Sequence, residues 1–494
     1  MADIWFTSDT HSYLYPTDYI SKKKQDMGYI ALSSSFTAGA IIVDGGDMLQ
    51  GSPLVRYEMK NAIRPFLAAE VFNRVGLGIY VPGNHDFNFG YDVLSSFLSS
   101  LKAEKLAANV VDDRGELGLK RYALIEAADG IRILFVGVVT DYVNIWESRK
   151  NLEGLRITDS VKAAEEALKE GSSFSPDYTV CVYHGGFGDE EGEIRENRGA
   201  ELAALGFDIL LTGHQHAIIE PKHIGRTLTL QAGAKAMFSA HIMLGHDGKI
   251  DAELVKTDAS LPLRSEFCDL SGKEEEAVMA SLAVPIGNVN GSLIDASKLE
   301  SAIHGSSLAD FLNDMQLEFT GADISAVSLF NEPYSLGPVV TLGDILAAYP
   351  FSNTLLKIRL TGRMLRQAME RSAGYFEIED GKVRISDRFI IPKEEHYNYD
   401  FYRGISYSFD ISRKLGERVV RLVWNNINLL ENPDTQLTMA LNSYRATGTG
   451  GYGIYRSAEV IERYSQDVQD LLIDRFSDGP AVDVPVRTDF LLIR

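Results

Sequence analysis

Cysteine is scarce in this chain of 494 residues, which contains only Cys181 and Cys268. Neither belongs to a Cys-x-x-Cys pair, so the sequence predicts neither a thiolate metal site nor a disulfide framework. Cys181 lies in the apolar run 178–183, where we expect it to act as a small buried hydrophobic residue.

Long apolar runs are missing as well. No run reaches the ~18 residues that a membrane-spanning helix needs, so we expect no membrane partner. No basic and apolar leader precedes the first predicted strand, which begins at Ile4. As written, the sequence therefore predicts a cytoplasmic protein; a secreted or periplasmic protein remains the alternative if a leader has been removed.

Positive charge is in short supply. The chain has 48 Lys and Arg residues and 69 Asp and Glu residues, which gives a net charge of −21. Nucleic-acid polymers and anionic membrane surfaces both require a basic footprint, so neither is expected as a partner. A small anionic substrate needs local positive charge, which a bound metal cluster would supply. The oligomeric state is not indicated by the sequence.

Apolar segments of strand length alternate with helical segments through the first half of the chain. The predicted strands include 4–7, 40–43, 77–81, 178–183 and 208–211. Residues 18–38 and 53–75 are predicted to be helical connections. This alternation predicts an α/β domain with a mostly parallel or mixed sheet that is covered on both faces.

Side chains of the metal-binding type follow five of these strands. The motifs are Asp9-x-His11, Gly46-Asp47, Gly83-Asn84-His85-Asp86, His184-Gly185 and Gly213-His214-Gln215-His216. In α/β sheets, ligands bind just outside the carboxyl ends of the strands. A lone histidine is usually an ordinary core or surface residue, but five such motifs together predict a dinuclear metal site. The five other histidines have no such setting and are expected to play ordinary roles.

These five blocks resemble those of the calcineurin-like metallophosphoesterases, in the 5′-nucleotidase branch. The segments Asp47-Met-Leu-Gln-Gly-Ser-Pro-Leu54 and Asn84-His-Asp-Phe-Asn-Phe-Gly90 are most similar to those of the bacterial 2′,3′-cyclic-nucleotide 2′-phosphodiesterase/3′-nucleotidases. The resemblance implies an α/β protein: an N-terminal metallophosphoesterase domain, a β-sheet sandwich flanked by helices, and a C-terminal α/β substrate domain of the 5′-nucleotidase type. We expect the boundaries to be 1–262 for the first domain, 263–297 for a helical linker and 298–494 for the second domain.

The resemblance also implies a ligand set. One ion would be held by Asp9, His11, Asp47 and His216, and the other by Asp47, Asn84, His184 and His214, with Asp47 bridging both. The ions would be Mn²⁺, Zn²⁺, Fe or Co²⁺, among which these ligands do not choose.

Two of these positions carry the catalytic expectation. Asp47 bridges the ions, and His85 matches the family histidine that contacts the phosphoryl oxygens or the leaving group. The implied mechanism is in-line attack on phosphorus by a metal-bound hydroxide. In many 5′-nucleotidases an aspartate three residues later orients this histidine; here the position is Asn88, as in the cyclic-phosphodiesterase type.

Four aromatic side chains cluster in the segment 397–406, and one more, Tyr444, lies at the head of a glycine-rich turn in the segment 442–451. Two such faces could sandwich a nucleobase, although strand aromatics more commonly belong to the core. By resemblance, Tyr444 matches one stacking aromatic, and either Tyr397 or Tyr402 could be the other. The arginine with which 5′-nucleotidases contact phosphate has no counterpart in 327–331, which leaves Arg445 and Arg403 as substitutes.

The sequence thus predicts a nucleotide phosphohydrolase of nucleotide catabolism with a nucleotide substrate. It would be a 5′-nucleotidase, a 2′,3′-cyclic-nucleotide phosphodiesterase/3′-nucleotidase, or both. One alternative is a pyrophosphatase for nucleotide sugars or dinucleotides. Another is a non-catalytic nucleotide-binding protein on the same scaffold.

Overall fold

The computed structural model describes residues 1–188, 195–267, 270, 272–350, 353–391 and 394–494. The chain forms two compact units, Met1–Met279 and Ala280–Arg494. Cys181 is a free, fully buried cysteine, as expected; Cys268 lies outside the described residues. Among the helices that the structure describes, none has the length and apolar character to cross a membrane.

Two six-stranded sheets form the first unit. The strands of the first sheet, in spatial order, are Ile250–Lys256, Phe238–Leu244, Ala2–Thr7, Ile41–Asp44, Leu77–Tyr80 and Glu104–Lys105. Those of the second are Ile218–Ile224, Thr227–Ala232, Ile209–Thr212, Tyr178–His184, Arg132–Val139 and Tyr122–Glu126. Four adjacent strands in each sheet are parallel, and antiparallel strands complete the edges. The mixed sheets predicted from the sequence are confirmed.

The two sheets pack face to face. Side chains alternate along a strand, so one face of each sheet is free to enter a shared core. Phe6, Val43 and Ile79 from the first sheet belong to the same buried cluster as Phe135 and Val182 from the second. This is the β-sheet sandwich that the sequence resemblance implies.

Helices cover the outer faces of the sandwich and connect its strands. Their bounds are Tyr29–Leu32, Pro53–Lys60, Leu67–Val75, Tyr91–Ser100, Val143–Trp146, Ser160–Ser172 and Gly199–Ala204. Small residues allow a close approach: Ala164 and Ala167 pack with Leu134 and Cys181 of the second sheet. Each parallel strand is followed by a loop at its carboxyl end, and these loops carry the polar motifs.

The helix predicted for 18–38 does not form over most of its length. The segment contains a short two-stranded ladder, Thr17–Asp18 with Lys23–Lys24, and a four-residue helix, Tyr29–Leu32. Tyr19 and Met27 are buried although they lie outside the helix. The burial of these two side chains shows that a connection can pack on the core without forming a helix.

The second unit is built around a five-stranded sheet. Its strands, in spatial order, are Asp400–Arg403, Ile324–Ser328, Gln436–Asn442, Thr354–Thr361 and Glu459–Asp467. A four-stranded sheet contains Ile427–Asn428, Val419–Trp424, Ser406–Asp410 and Phe490–Ile493. The helices are Lys298–His304, Ser307–Thr320, Leu342–Ala348, Gly362–Ala373, Ser443–Ala446 and Val468–Ser477.

The segment 263–297, expected to be a helical linker, is only partly helical. Lys273–Leu282 is a helix, but Pro285–Asn290 is a strand that pairs with Val339–Thr341 and Val482–Asp483 of the second unit. Val289 lies in a core of that unit. Residues 285–290 are therefore part of the second unit's fold.

Candidate metal centre

The seven side chains expected to bind metal all follow strands of the sandwich. Asp9 and His11 follow Ala2–Thr7, Asp47 follows Ile41–Asp44, and Asn84 follows Leu77–Tyr80. His184 is the last residue of its strand, and the last two, His214 and His216, follow Ile209–Thr212.

The backbone at these positions is strained. Positive φ angles of 50–70° are uncommon for residues other than glycine and collect at functional sites. Five of the seven candidate ligands have one: Asp9 (55°), His11 (52°), Asp47 (61°), His214 (69°) and His216 (55°). Such conformations persist only where the surrounding structure holds them in place, so the loops are organised around the positions of these side chains.

Asp9, His11 and His216 form one group. Their ligand atoms all lie within 4.8 Å of one another. The Nε2 atoms of His11 and His216 are 2.9 Å apart, and His216 Nε2 is 3.5 Å from Asp9 Oδ1. Asp9 is fully buried and His11 nearly so, so a cation bound here would be largely shielded from water.

Asp47, His184 and His214 form a second group of the same size, and Asn84 completes it. Asn84 Oδ1 lies 3.1 Å from His184 Nε2 and 2.8 Å from His214 Nδ1. Asp47 Oδ2 lies 3.2 Å from His184 Nε2 and 4.0 Å from His11 Nε2 of the first group. Asp47 therefore stands between the two groups.

Several of these close contacts join two hydrogen-bond acceptors. His11 Nδ1 donates to the carbonyl of Gln50 (2.8 Å) and His184 Nδ1 donates to that of Gly45 (2.6 Å). In the neutral rings both Nε2 atoms then carry lone pairs. These lone pairs face the carboxylate of Asp47, whose buried Oδ2 accepts no hydrogen bond from the described residues. An array of converging acceptors is stable around a cation and unfavourable without one.

The electrostatics support this interpretation. Burial lowers the pKa of His184, but the charge and hydrogen bond of Asp47 and the charge of Asp9 outweigh burial and raise it to about 10, so the ring takes up a proton unless a metal ion supplies the positive charge. Burial alone would raise the pKa of Asp47, yet the neighbouring His184 holds it well below its usual range. The site therefore attracts positive charge, and the donor set fits two divalent ions.

Asp86 was not singled out as a site residue from the sequence. Its buried carboxylate accepts the backbone N–H groups of Asp47 (3.1 Å), Met48 (2.9 Å), Leu49 (2.9 Å) and Gly83 (2.8 Å), and the hydroxyl of Tyr80 (2.6 Å). One carboxylate thus ties the loop of Asp47 to the loop of Asn84. The position of Asp86 in the Gly-Asn-His-Asp motif was the only feature of the sequence that pointed to it. Its role is to accept hydrogen bonds from a distant loop, and such a role leaves no recognisable spacing in the sequence.

Glu196 was also missed. Its Oε1 lies 3.0 Å from Nε2 of His214, and the ring donates its proton there. That fixes the tautomer in which Nδ1 of His214 carries the lone pair directed at Asn84 Oδ1. Carboxylates that accept the far N–H of a metal-bound histidine orient the ring and raise its basicity.

His85 lies beside the two groups and does not belong to either. Its ring centroid is 5.6 Å from that of His11, and its backbone N–H donates to Asp47 Oδ1 (2.7 Å). Its Nδ1 is 2.8 Å from Asn88 Oδ1. The residue that replaces the expected aspartate therefore does contact the histidine.

The three tyrosines proposed for base stacking differ in exposure. Tyr402 is only 1% exposed, and its hydroxyl bonds to Ser372 (3.1 Å) inside a core of the second unit. It has no free face for a base, so the expectation for Tyr402 is wrong. Tyr397 and Tyr444 are both partly exposed, and Arg445, which follows Tyr444, donates to the carbonyl of Tyr397 (2.6 Å).

The two arginines considered for phosphate contacts are engaged elsewhere. Arg445 is buried and paired with Asp400 (3.0 Å). Arg403 forms a bidentate pair with Asp314 (2.7 and 2.9 Å). Both arginines contribute to the fold of the second unit, because the guanidinium group of each is paired with a carboxylate of that unit.

Comparison with known proteins places both units. Residues 2–217 match the calcineurin-like phosphoesterase family, and residues 285–456 match the 5′-nucleotidase C-terminal domain. The 2′,3′-cyclic-nucleotide 2′-phosphodiesterase/3′-nucleotidase of Salmonella typhimurium is 24% identical over 90% of this chain and 80% of its own length. The trifunctional nucleotide phosphoesterase YfkN of Bacillus subtilis is 20% identical over 97% of this chain, which spans 38% of that longer protein.

Solved structures share the whole architecture. A provisionally assigned 5′-nucleotidase of Staphylococcus aureus, in complex with alpha-ketoglutarate, is 26% identical and superposes with a TM-score of 0.88 over 100% of both chains. A 5′-nucleotidase precursor of Thermus thermophilus, 18% identical, has the same fold (TM-score 0.67, 100% of this chain and 99% of the other). Residues 2–217 therefore form a calcineurin-like phosphoesterase domain, of a class of metal-dependent phosphoester hydrolases, and residues 285–456 form a 5′-nucleotidase C-terminal domain.

Proposed function

We propose that this protein hydrolyses phosphoesters of nucleotides at a centre of two divalent ions. Asp9, His11 and His216 would hold one ion, and Asn84, His184 and His214 the other, with Asp47 bridging them. The observation that carries the proposal is the position of Asp47: its buried Oδ2 is faced by Nε2 atoms of both groups, 3.2 Å from that of His184 and 4.0 Å from that of His11.

When bound, the two ions would lower the pKa of a water molecule and neutralise charge on the phosphoryl group. The protein's own residues would position the reactants. The Asp86 network fixes the loops of Asp47 and Asn84, and Glu196 fixes the ring of His214. His85 lies beside both groups, where its Nε2 edge would meet the phosphoryl oxygens or the leaving group.

In the second unit, we assign base recognition to Tyr444 and Tyr397. Both rings are partly exposed, and Arg445 links their two segments through its bond to the carbonyl of Tyr397. Stacking tolerates any base, so the proposal covers purine and pyrimidine nucleotides alike. The substrates would be nucleoside monophosphates, 2′,3′-cyclic nucleotides, or both.

A panel of AMP, 3′-AMP, 2′,3′-cyclic AMP, UDP-glucose and NAD tests the proposal. We expect phosphate release from at least one of the first two, or ring opening of the cyclic nucleotide, by protein reconstituted with Mn²⁺, Zn²⁺ or Co²⁺. Turnover confined to UDP-glucose or NAD would replace the proposal with a pyrophosphatase function. Nucleotide binding without turnover of any substrate would indicate a non-catalytic binding protein.

A further inference from the structure

Asn88, the residue in contact with His85, is itself held by an acidic side chain. Asn88 Nδ2 donates to Oε2 of Glu147 at 2.7 Å. Glu147 follows the helix Val143–Trp146, 59 positions beyond Asn88. Both side chains are partly buried. A chain of three side chains therefore runs from Glu147 through Asn88 to His85.

The chemistry of these groups determines the direction of each hydrogen bond. An ionised carboxylate only accepts, so Asn88 must turn its NH₂ toward Glu147 and its Oδ1 toward His85. Because Oδ1 also only accepts, Nδ1 of His85 must carry the ring proton. Glu147 thereby decides both the amide orientation of Asn88 and the tautomer of His85, although its hydrogen bonds among the described residues go to Asn88, Ser148 and Asn151.

Glu147 is fastened in its turn by two further donors. Its Oε1 accepts the backbone N–H of Ser148 (2.8 Å) and Nδ2 of Asn151 (2.9 Å). Asn151 Nδ2 also donates to the backbone carbonyl of Asn88 (2.6 Å). Asn88 is thus held at both its side chain and its backbone by the turn 147–151.

We propose that Glu147 is the positioning residue for His85, acting through Asn88. The proposal rests on the proposed function for its catalytic consequence, namely that Nε2 of His85 faces the phosphoryl group. In this chain a neutral amide, that of Asn88, lies next to the histidine. The carboxylate of Glu147 lies one side chain farther away. The amide relays orientation from the carboxylate to the ring.

Two substitutions should disturb the relay separately and cancel when combined. In Glu147→Gln, the oxygen must stay with Ser148 N–H and Asn151 Nδ2, so the new NH₂ group faces Asn88 and turns its amide over. His85 then loses its Nδ1 proton. In Asn88→Asp, two carboxylates face each other across 2.7 Å. In the double variant, the glutamine NH₂ donates to the aspartate, which again accepts from His85 Nδ1.

We expect each single variant to lower kcat by about 10-fold, the lower end of the effect of partners that orient a metal-bound histidine, because His85 lies beside the ions and is not bound to them; KM should stay within about twofold. The double variant should recover kcat to within about threefold of the wild type, since contacting residues couple strongly. Glu153→Gln is the matched control: it makes the same change from glutamate to glutamine at an exposed position just beyond this turn and should leave kcat and KM unchanged. Additive losses in the double variant would overturn the proposal.

A second readout does not depend on turnover. In zinc-loaded protein with ¹⁵N-labelled histidine, the His85 signals are assigned by their absence in His85→Asn. We expect the proton on Nδ1 in the wild type, on Nε2 in Glu147→Gln, and on Nδ1 again in the double variant. An Nδ1 proton in Glu147→Gln would overturn the relay. A wild type that shows the expected tautomers but hydrolyses no nucleotide would leave the relay standing and refute the proposed function instead.

Discussion

Replacing Asp86 by alanine should loosen the turn that carries Asp47. The carboxylate is fully buried and accepts four backbone N–H groups and one tyrosine hydroxyl. The hydroxyl of Tyr80 can rotate toward another acceptor, but the four amides cannot. Each lost hydrogen bond costs about 1 kcal/mol, and a buried N–H group that finds no other acceptor costs more. The free energy of unfolding should therefore fall by about 4 kcal/mol. That is a large part of the ~5–15 kcal/mol that stabilises a typical domain.

Urea unfolding followed by circular dichroism measures this loss, and bound metal measured on the same samples should fall with it. Asp86→Asn keeps one acceptor oxygen but turns an NH₂ group toward two or more donors, so it should lose about 3 kcal/mol. Asp92→Ala is the control, because its carboxylate is 93% exposed and pairs only loosely with Arg114 (3.3 Å); it should unfold like the wild type. If both Asp86 variants unfolded within about 1 kcal/mol of the wild type, the network would not be what holds the loop.

Three further predictions concern stability, metal retention and base recognition. Burial raises the pKa of Glu58 to about 7, above its value of about 4.3 in unfolded chains; folded protein should therefore lose stability as the pH rises from 4.3 through 7. Urea titrations should show that Glu58→Gln, relative to the wild type, gains about 2–3 kcal/mol between pH 5 and pH 8, and a difference independent of pH would contradict this. Glu196→Gln should weaken metal binding about 10–100-fold, measured by chelator competition, whereas the exposed Glu166→Gln should not; equal retention in both would refute the role of Glu196. Tyr444→Ala should raise KM for nucleotides about 10-fold, because the loss of one stacking contact weakens binding by about that factor. Tyr402→Phe, at a buried position, should leave KM unchanged. An unchanged KM in Tyr444→Ala would show that Tyr444 does not contact the base.

Much of the metal centre could be predicted because its motifs are local. Asp9 and His11, or His214 and His216, are two positions apart on one loop, and parallel strands bring the ends of neighbouring strands together. The structure does gather the predicted Asp and His side chains into two groups. The alternation of buried strands with helices likewise predicted mixed sheets, whereas the sandwich of two sheets was implied only by the family resemblance.

What the sequence could not supply is the set of partners that come from distant loops. Glu196 meets His214 across a loop, and Glu147 meets Asn88 across 59 positions; no spacing or composition marks either glutamate. The helix expected over 18–38 was wrong as well: Tyr19 and Met27 are buried in a loop, and the sequence does not distinguish a loop that packs on the core from a helix that does. Tyr402 shows the same ambiguity for aromatics, because a strand residue of the core and a stacking residue look alike in the sequence.

Metal analysis of the purified, reconstituted chain and of its Asp47→Ala variant tests the dinuclear centre most directly. The wild type should hold two divalent ions per chain, because both groups share Asp47, and the variant should lose at least one ion together with all turnover. The single control is Asp44→Asn, which should keep both ions because Asp44 accepts from Thr7 Oγ1 and Gly46 N–H and faces neither group. Asp47→Ala protein that retained two ions and full activity would contradict the claim that Asp47 bridges a dinuclear centre.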